Sequence, residues 1–352
     1  MKIAHCVKYG PRRAGMYETA RELCQAECAL SYEAKLVDTS FLENDQSPPA
    51  TFKYDRGVDV ATVEWAVDAD VHVLHSRIPP QIYGKKPVVM VLHGAPEYLF
   101  YSQVFRRKEG DASHATILNY GNDERIKAFV TMWKRHVPYW QSILGDDRVH
   151  LIPPIVNMED YSPEGEKEDL KDPGGFNIGF CDTWRPTFYK EPFQILPGVR
   201  EFWKRQNDAK LHLFGIPTEG KRARIYGNVW DKHILALNRN GDYIGGIWEL
   251  HANMEKVYRA LDVVITMAVD ENRIVRETLA SGKPLVAPMG NKYTPYGCQI
   301  EDPISVADTL ERVRKDLAEN PEEVKNTSLE SVKKMGVDNS AQEFVKVLES
   351  VL

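Results

Sequence analysis

Nowhere in its 352 residues does this chain hold an apolar run approaching the roughly 18 residues that a membrane-spanning helix needs. An integral helical membrane protein is therefore not expected. Cysteine is scarce: the five are odd in number and scattered, which rules out a disulfide framework and a paired metal-ligand spacing. Cys24 and Cys28, one helical turn apart, read as core packing. Excess charge is small. The formal net charge of −6 argues against the basic footprint of a general nucleic-acid binder. Within residues 1–155, 19 Lys+Arg balance 19 Asp+Glu, so the acidity lies in the second half. The chain has neither G-x-G-x-x-G nor a G-K-[ST] loop, and nicotinamide and P-loop ATP sites lose support accordingly. The opening "MKIAHCVKYG" starts directly as a strand, without a charged segment, a long apolar stretch or a small-residue cleavage site. A cytoplasmic protein is expected.

What the chain does have is alternation. Strand-like "KIAHCV", helical "ETARELCQAECAL", then "EAKLVD", "DVHVLHS", "KPVVMVLHG", "AFVTM" and "VHLIPP" form one series of parallel-sheet elements. The stretch "IPPIVNMEDYSPEGEKEDLKDPGG", rich in Pro, Gly and charge, reads as a linker. The pattern then restarts with "FNIGFC", "PGVREFWKRQ", "KLHLFG", "DYIGG", "ANMEKVYRAL", "DVVITM", "RIVRETLAS" and "KPLVAP". Two doubly wound domains follow, over residues 1–158 and 159–335. Residues 336–352 hold an amphipathic helix, "SAQEFVKVLESVL", expected to pack back toward the first domain through Phe344, Val345, Val347, Leu348 and Leu352.

Ligands of open α/β sheets bind at the carboxyl ends of strands, so the loops after strands, facing a cleft between the domains, are where chemistry is expected. "YGPRRAGMYE", with Gly15, suits close approach of a phosphate to a helix start, or is a plain turn. "CDTWRPTFYKEP" sets Arg185 and Lys190 five apart, where a planar fork and a point charge could clamp a diphosphate or simply be solvated. In "VVITMAVDENRIVRETLASGKPLVAP" a helix starting near Asn272 puts Arg273 and Glu277 four apart on one face. That is either an ion pair of a few tenths of a kcal/mol or a carboxylate placed to accept hydrogen bonds from a ribose diol. "YLFYSQVFRRKEG" and "MWKRHVPYW" interleave aromatic and basic residues. They suit a lipid surface, a polyanion, or packed helices with snorkelling cations.

Taken in order, these segments resemble the retaining glycosyltransferases of the GT-B fold, in particular family four. "ALDVVITMAVDENRIVRETLASGKPLVAP" is similar to the family's strand, acidic loop and E-A-M-A-x-G-x-P-V-V-A, with Glu277, Ala280, Gly282, Pro284 and Val286 on matching positions. "WRPTFYKE" is similar to G-R-x-x-x-x-K-G, "LHLFGIP" to the strand and turn that follow, and "DYIGGI" to the stretch lying on the nucleotide base. "VVMVLHG" resembles the first-domain strand ending in a histidine that faces the donor sugar. The chain diverges where Val269 replaces the first motif glutamate, where Asp270, Glu271 and Asn272 replace small residues, and where Trp184 and Glu191 replace glycines.

The resemblance implies an α/β GT-B fold of two Rossmann-like domains facing each other across a cleft, and a hexosyltransferase using a UDP- or GDP-sugar with retention. It implies Arg185, Lys190 and Gly15 on the donor diphosphate and Glu277 on the ribose. His93 would serve the donor sugar, and Gly215, Ile247, Asp270, Glu271, Asn272, Arg273 and Ile274 would line the nucleotide and sugar. No cofactor and no metal are expected. The acceptor would be a glycan, a lipid-linked or small-molecule hydroxyl, with nucleic acid and peripheral membrane contact kept open. A DNA-modifying glucosyltransferase and a nucleotide-sugar epimerase of the same fold are the alternatives.

Overall fold

In the computed structural model of the chain, the described residues are 1–7, 15–39, 60–61, 63–75, 86–94, 96, 99, 114–182, 194–215, 243–247, 253–336 and 339–352. Arg185 and Lys190, the segment "YLFYSQVFRRKEG" apart from Leu99, and the loop before Gly15 lie outside them. Elements are numbered among the described residues. The chain divides into two compact units, Met1–Ile155 with Gly336–Leu352, and Val156–Met335.

The first unit is a six-stranded parallel sheet in the order β2-β1-β3-β4-β5-β6. Its strands are β1 (Lys2–Val7), β2 (Glu33–Asp38), β3 (Val71–Leu74), β4 (Val88–Leu92), β5 (Ile126–Thr131) and β6 (Val149–Leu151). Runs of Val, Ile and Leu suit strands buried on both faces. The pleat sorts neighbours by parity. Ile3, Val7, Val71, Val73, Val89 and Val91 face one layer, helices α1 (Gly15–Ala29) and α10 (Ser340–Ser350). Ala4, Cys6, Leu74, Met90 and Leu92 face the other, α2 (Val63–Asp68), α3 (His114–Gly121) and α4 (Val137–Leu144). Helix α10 enters the first core through Phe344, Val347 and Leu348. Leu352, expected on that apolar face, is 62% exposed because the helix stops at Ser350.

The second unit repeats the design with the order β12-β11-β10-β7-β8-β9, again all parallel. It holds β7 (Phe176–Phe180), α5 (Ile195–Arg205), β8 (Ala209–Leu213), β9 (Ile244–Ile247), α6 (Met254–Ala260) and β10 (Val263–Ile265). After these come α7 (Arg273–Ala280), β11 (Leu285–Pro288), β12 (Tyr296–Cys298), α8 (Pro303–Glu319) and α9 (Pro321–Lys334). The stretch read as a linker is partly clasped to this unit. Buried Arg259 of α6 donates from Nη1 to the carbonyls of Asp160, Ser162 and Glu164, and from Nε to that of Glu166. One guanidinium fork thus satisfies four backbone acceptors that a coil would otherwise leave to water.

All five cysteines are free, and Cys28 is exposed rather than in the core with Cys24. Helix C-terminal geometry and a packed surface separate them: Cys24 faces the sheet, whereas Cys28 sits in the last turn of α1, its thiol directed to the carbonyl of Ala34 at 3.4 Å. "MWKRHVPYW" splits by face. Met132, His136 and Trp140 are buried, while Lys134, Arg135 and Tyr139 are exposed. No helix among the described residues is long and apolar enough to cross a membrane.

Candidate functional site

In the second sheet the chain runs from β7 out through β8 and β9 and returns to β10 on the other side of β7, so the winding direction reverses between β7 and β10. Such a switch point opens a crevice at the strands' carboxyl ends. Here those ends carry Cys181 and Asp182 after β7, and Thr266 to Ala268 after β10. Thr266 Oγ1 donates to the buried Asp182 carboxylate at 3.0 Å and accepts from the Ala268 N–H at 3.2 Å. Asn291 Nδ2 donates to the Ala268 carbonyl at 3.0 Å, pinning the chain just before the acidic loop.

That loop leads into α7. Asn272 caps it, its side-chain oxygen accepting from the Val275 N–H at 3.1 Å. Val275, Thr278 and Leu279 are buried, while Ile274 is half-buried. The helix ends at Gly282, whose φ of +67° needs a glycine; a Cβ there would also meet Pro163 Cγ and Lys325 Cγ at 3.0 Å.

Glu277 is 3% exposed, so its pair with the Arg273 guanidinium is not a surface contact. Its Oε2 also accepts from the hydroxyl of Tyr258 on α6, at 3.0 Å. Burial, reinforced by this carboxylate, holds the Tyr258 phenol far above its usual range and keeps it a donor. Burial together with Asp182 and Glu277 likewise keeps the Cys181 thiol protonated and unreactive. Glu271 bonds the Tyr293 phenol, and burial first, then the Glu271 and Asp270 charges, push that group to about 12. Gly215 follows β8 with φ +88°, a left-handed conformation that favours glycine, and Ile247 ends β9 with its carbonyl 3.4 Å from Lys171 Nζ. Gly215, Ile247, the 270–274 loop and Glu277 therefore all belong to the second unit, on strand ends or the helix they feed. Tyr258, Asp182 and Thr266 were not singled out by sequence reasoning. A tyrosine on an amphipathic helix and a Thr closing an apolar strand carry no local signal of a shared site.

His93 and Gly15 belong to the first unit, where the winding reverses between β1 and β3. Gly15 is the first residue of α1, and His93 directly follows β4. His93 does more than end its strand. Its Nε2 lies 2.7 Å from His75 Nδ1, His75 Nε2 lies 3.0 Å from His5 Nδ1, and His5 Nε2 lies 2.6 Å from Glu27 Oε2. Glu27, His5 and His75 are all buried. Parity was the available signal: His5, His75 and His93 continue the same pleat rows as Ile3, Val73 and Val91. Histidines on a buried face need partners.

No protein-family model matches the sequence, and no curated protein does. Solved structures do. Anabaena HepE in complex with UDP-glucose superposes with a TM-score of 0.70 at 14% identity, covering 99% of this chain and 100% of that one. A glycosyltransferase from Rickettsia africae ESF-5 gives 0.65 at 11% identity, over 99% and 98% of the two chains. The sucrose-phosphate synthase of Thermosynechococcus elongatus gives 0.64 at 13%, over 99% and 98%. At such identities the likeness is one of fold, and it extends over essentially the whole chain. The α/β fold of two doubly wound, Rossmann-like units is thereby the one that the sequence led us to expect.

Proposed function

We propose that the chain is a retaining glycosyltransferase that moves a hexose from a UDP- or GDP-sugar to an acceptor hydroxyl. The observation that carries this reading is Glu277: a buried carboxylate, oriented by Tyr258 and Arg273, on the helix that opens from the switch point of the second sheet. A ribose diol offers two donors to such a group, and charge-assisted bonds of this kind are roughly twice as strong as neutral ones. The full-length likeness to a protein bound to UDP-glucose supports the same assignment.

In this reading Glu277 positions the nucleotide, Arg185, Lys190 and Gly15 meet the diphosphate, and positive charge there stabilises the leaving group as the glycosidic bond breaks. Gly215 and Ile247 offer backbone to the base. Asp270, Glu271, Asn272, Arg273 and Ile274 border the sugar, and His93 serves it from the first unit. Glu271, already bonded to Tyr293, or Asp270 takes the part of the glutamate that Val269 lacks. The reaction proceeds without a metal or cofactor, in the cytoplasm, toward a glycan, lipid-linked or small-molecule acceptor.

Thermal denaturation with UDP, GDP, ADP and CMP, then with their sugar conjugates, tests this, because a ligand bound only by the native state raises the melting temperature. A diphosphate among the hits is expected, UDP or GDP first. No stabilisation by any of them at millimolar concentration would refute the reading. Turnover of the donor to an epimer without acceptor would replace transfer with epimerisation.

A further inference from the structure

The segment that opens the second unit starts as a preformed turn. Asn157 Oδ1 accepts from the N–H groups of Glu159 and Asp160, at 3.0 and 3.4 Å, and the Asn157 carbonyl accepts from that of Tyr161 at 3.0 Å. An asparagine bonded to its own following backbone fixes a turn locally. Beyond it Arg259 holds four carbonyls, Lys256 pairs with Glu166, and Lys325 Nζ lies 3.3 Å from Glu164 Oε1. Residues 157–166 are therefore a strap with a defined path, all of it within the second unit. Its residues 164–167 are exposed, and a segment held by a few polar bonds at the surface opens more readily than the sheet beneath it.

The path runs past the partners of Glu277. Tyr161 is 3% exposed, and its ring packs against that of Tyr258, with centroids 6.0 Å apart and planes inclined by 54°. Its hydroxyl oxygen lies 3.5 Å from Arg273 Nη2, the long end of hydrogen-bond range. Tyr258 and Arg273 are the two side chains that orient the Glu277 carboxylate. Two residues further on, Pro163 sits against Gly282, so the strap also touches the turn that ends α7. Both tyrosines are buried, yet neither belongs to the main apolar core of the unit. They pack instead where the strap meets α6 and α7. Close-packed side chains pass a displacement on to their neighbours, and the strap, clasped or open, supplies the two states that coupling requires.

We propose that Tyr161 is a positioning residue for nucleotide binding, through which the strap and the nucleotide stabilise one another. With the strap clasped, Tyr161 holds Tyr258 and Arg273 where they orient Glu277 toward the ribose; with the strap open, the carboxylate loses that order. The ribose itself rests on the transferase reading above. Coupling is reciprocal: a nucleotide that prefers the clasped form tightens the clasp by the same factor that unclasping costs its affinity.

Hydrogen exchange on the full chain reads the strap, because the amides of Glu159, Asp160, Tyr161 and Ser162 are all bonded. Saturating UDP should slow their exchange about fivefold, the low end of ordinary coupling between sites, and Arg259→Ala should weaken UDP binding by a similar factor. Tyr161→Leu should weaken it about fivefold as well. Adding Arg259→Ala to Tyr161→Leu should then cause no further loss, since the route is already cut. Tyr161→Phe keeps the ring and should recover most of the affinity. Phe202→Leu, in the main core, lowers the melting temperature of the same unit and should leave UDP affinity unchanged, which separates positioning from lost stability. UDP bound without any slowing over residues 159–162, or losses from Tyr161→Leu and Arg259→Ala that simply add, would overturn the proposal. An arm without nucleotide keeps it distinct from the transferase reading. Tyr161→Leu should speed exchange of the Val275 and Arg276 amides, which bond to Asn272 in the first turn of α7, relative to those of α8. No change there would refute positioning by Tyr161 whatever the protein binds. Binding of neither UDP nor GDP by the unmodified protein would instead sink the transferase reading, and the α7 result alone would then decide whether Tyr161 orders that helix.

Discussion

Replacing Glu277 by glutamine should weaken UDP binding about tenfold while leaving a folded protein. The size follows from the contacts. Hydrogen bonds to a charged group are worth roughly 1.5–3 kcal/mol and neutral ones roughly 0.5–1.5, so removing the charge costs about 1–1.5 kcal/mol of ribose binding. That is close to a factor of ten in Kd. Alanine is the wrong probe here. With Glu277 only 3% exposed, truncation would remove the buried acceptor of the Tyr258 hydroxyl and one partner of the Arg273 guanidinium. Breaking a buried pair in that way costs about 3–5 kcal/mol, on the order of 10 °C in a unit of this size. Tyr258→Phe supplies the control: it removes one bond to Oε2 and destabilises the second unit by about 2 kcal/mol, yet leaves the carboxylate charged. Calorimetric titration with UDP and scanning calorimetry on the same three preparations separate the effects. If Glu277→Gln binds UDP as tightly as the unmodified protein while melting lower, the carboxylate is a structural ion pair and the ribose assignment is wrong.

Other expectations concern stability. Phe344→Ala should cost about 3–5 kcal/mol in the first unit, measured by urea unfolding, because the ring is fully buried in the core beside His5. Arg259→Ala leaves four carbonyls of residues 160–166 without their donor, and limited proteolysis should then cut that segment first. Acid should weaken the fold well before carboxylates titrate. Burial lowers His212 to about 4 from 6.5, so below pH 6.5 the unfolded chain binds a proton that the folded chain refuses. Stability is therefore complete above pH 6.5 and falls as pH drops toward 4, by about 3 kcal/mol from this residue. Unfolding free energies at pH 7, 5.5 and 4 should show a shallower slope in His212→Gln; an unchanged slope would contradict the assignment.

How far the sequence could be read depended on whether the relevant contacts were local. Buried parallel strands announce themselves as short Val- and Ile-rich runs, and the eleven from β1 to β11 lie where those runs do. The Asn272 cap and the pairing of Arg273 with Glu277 depend on spacings of three and four, which a helix enforces. Strand β12 was not legible: three residues with Gly297 at the centre on a sheet edge have too little pattern. The clasp of residues 160–166 was missed because one distant arginine satisfies it, and a proline- and glycine-rich composition looks the same clasped or free. The histidine line needed the order β1-β3-β4 before three rings on matching pleats could be joined. The burial of Glu277 needed α6, which brings Tyr258 to it from 19 residues upstream.

The placement of α10 bears on the protein's birth as well as its finished form. A ribosome completes the first sheet by residue 151 but releases the helix that seals its outer layer only after the whole second unit has been made. At about 5–20 residues per second, some 180 residues impose a wait of roughly 10–40 s. During that interval the apolar row of Ile3, Val7, Val130 and their neighbours lacks Phe344, Val347 and Leu348, and the inner end of the histidine line is open to water. The nascent first unit is thus a natural client for a chaperone, and only a segment made after the second unit brings its core to completion.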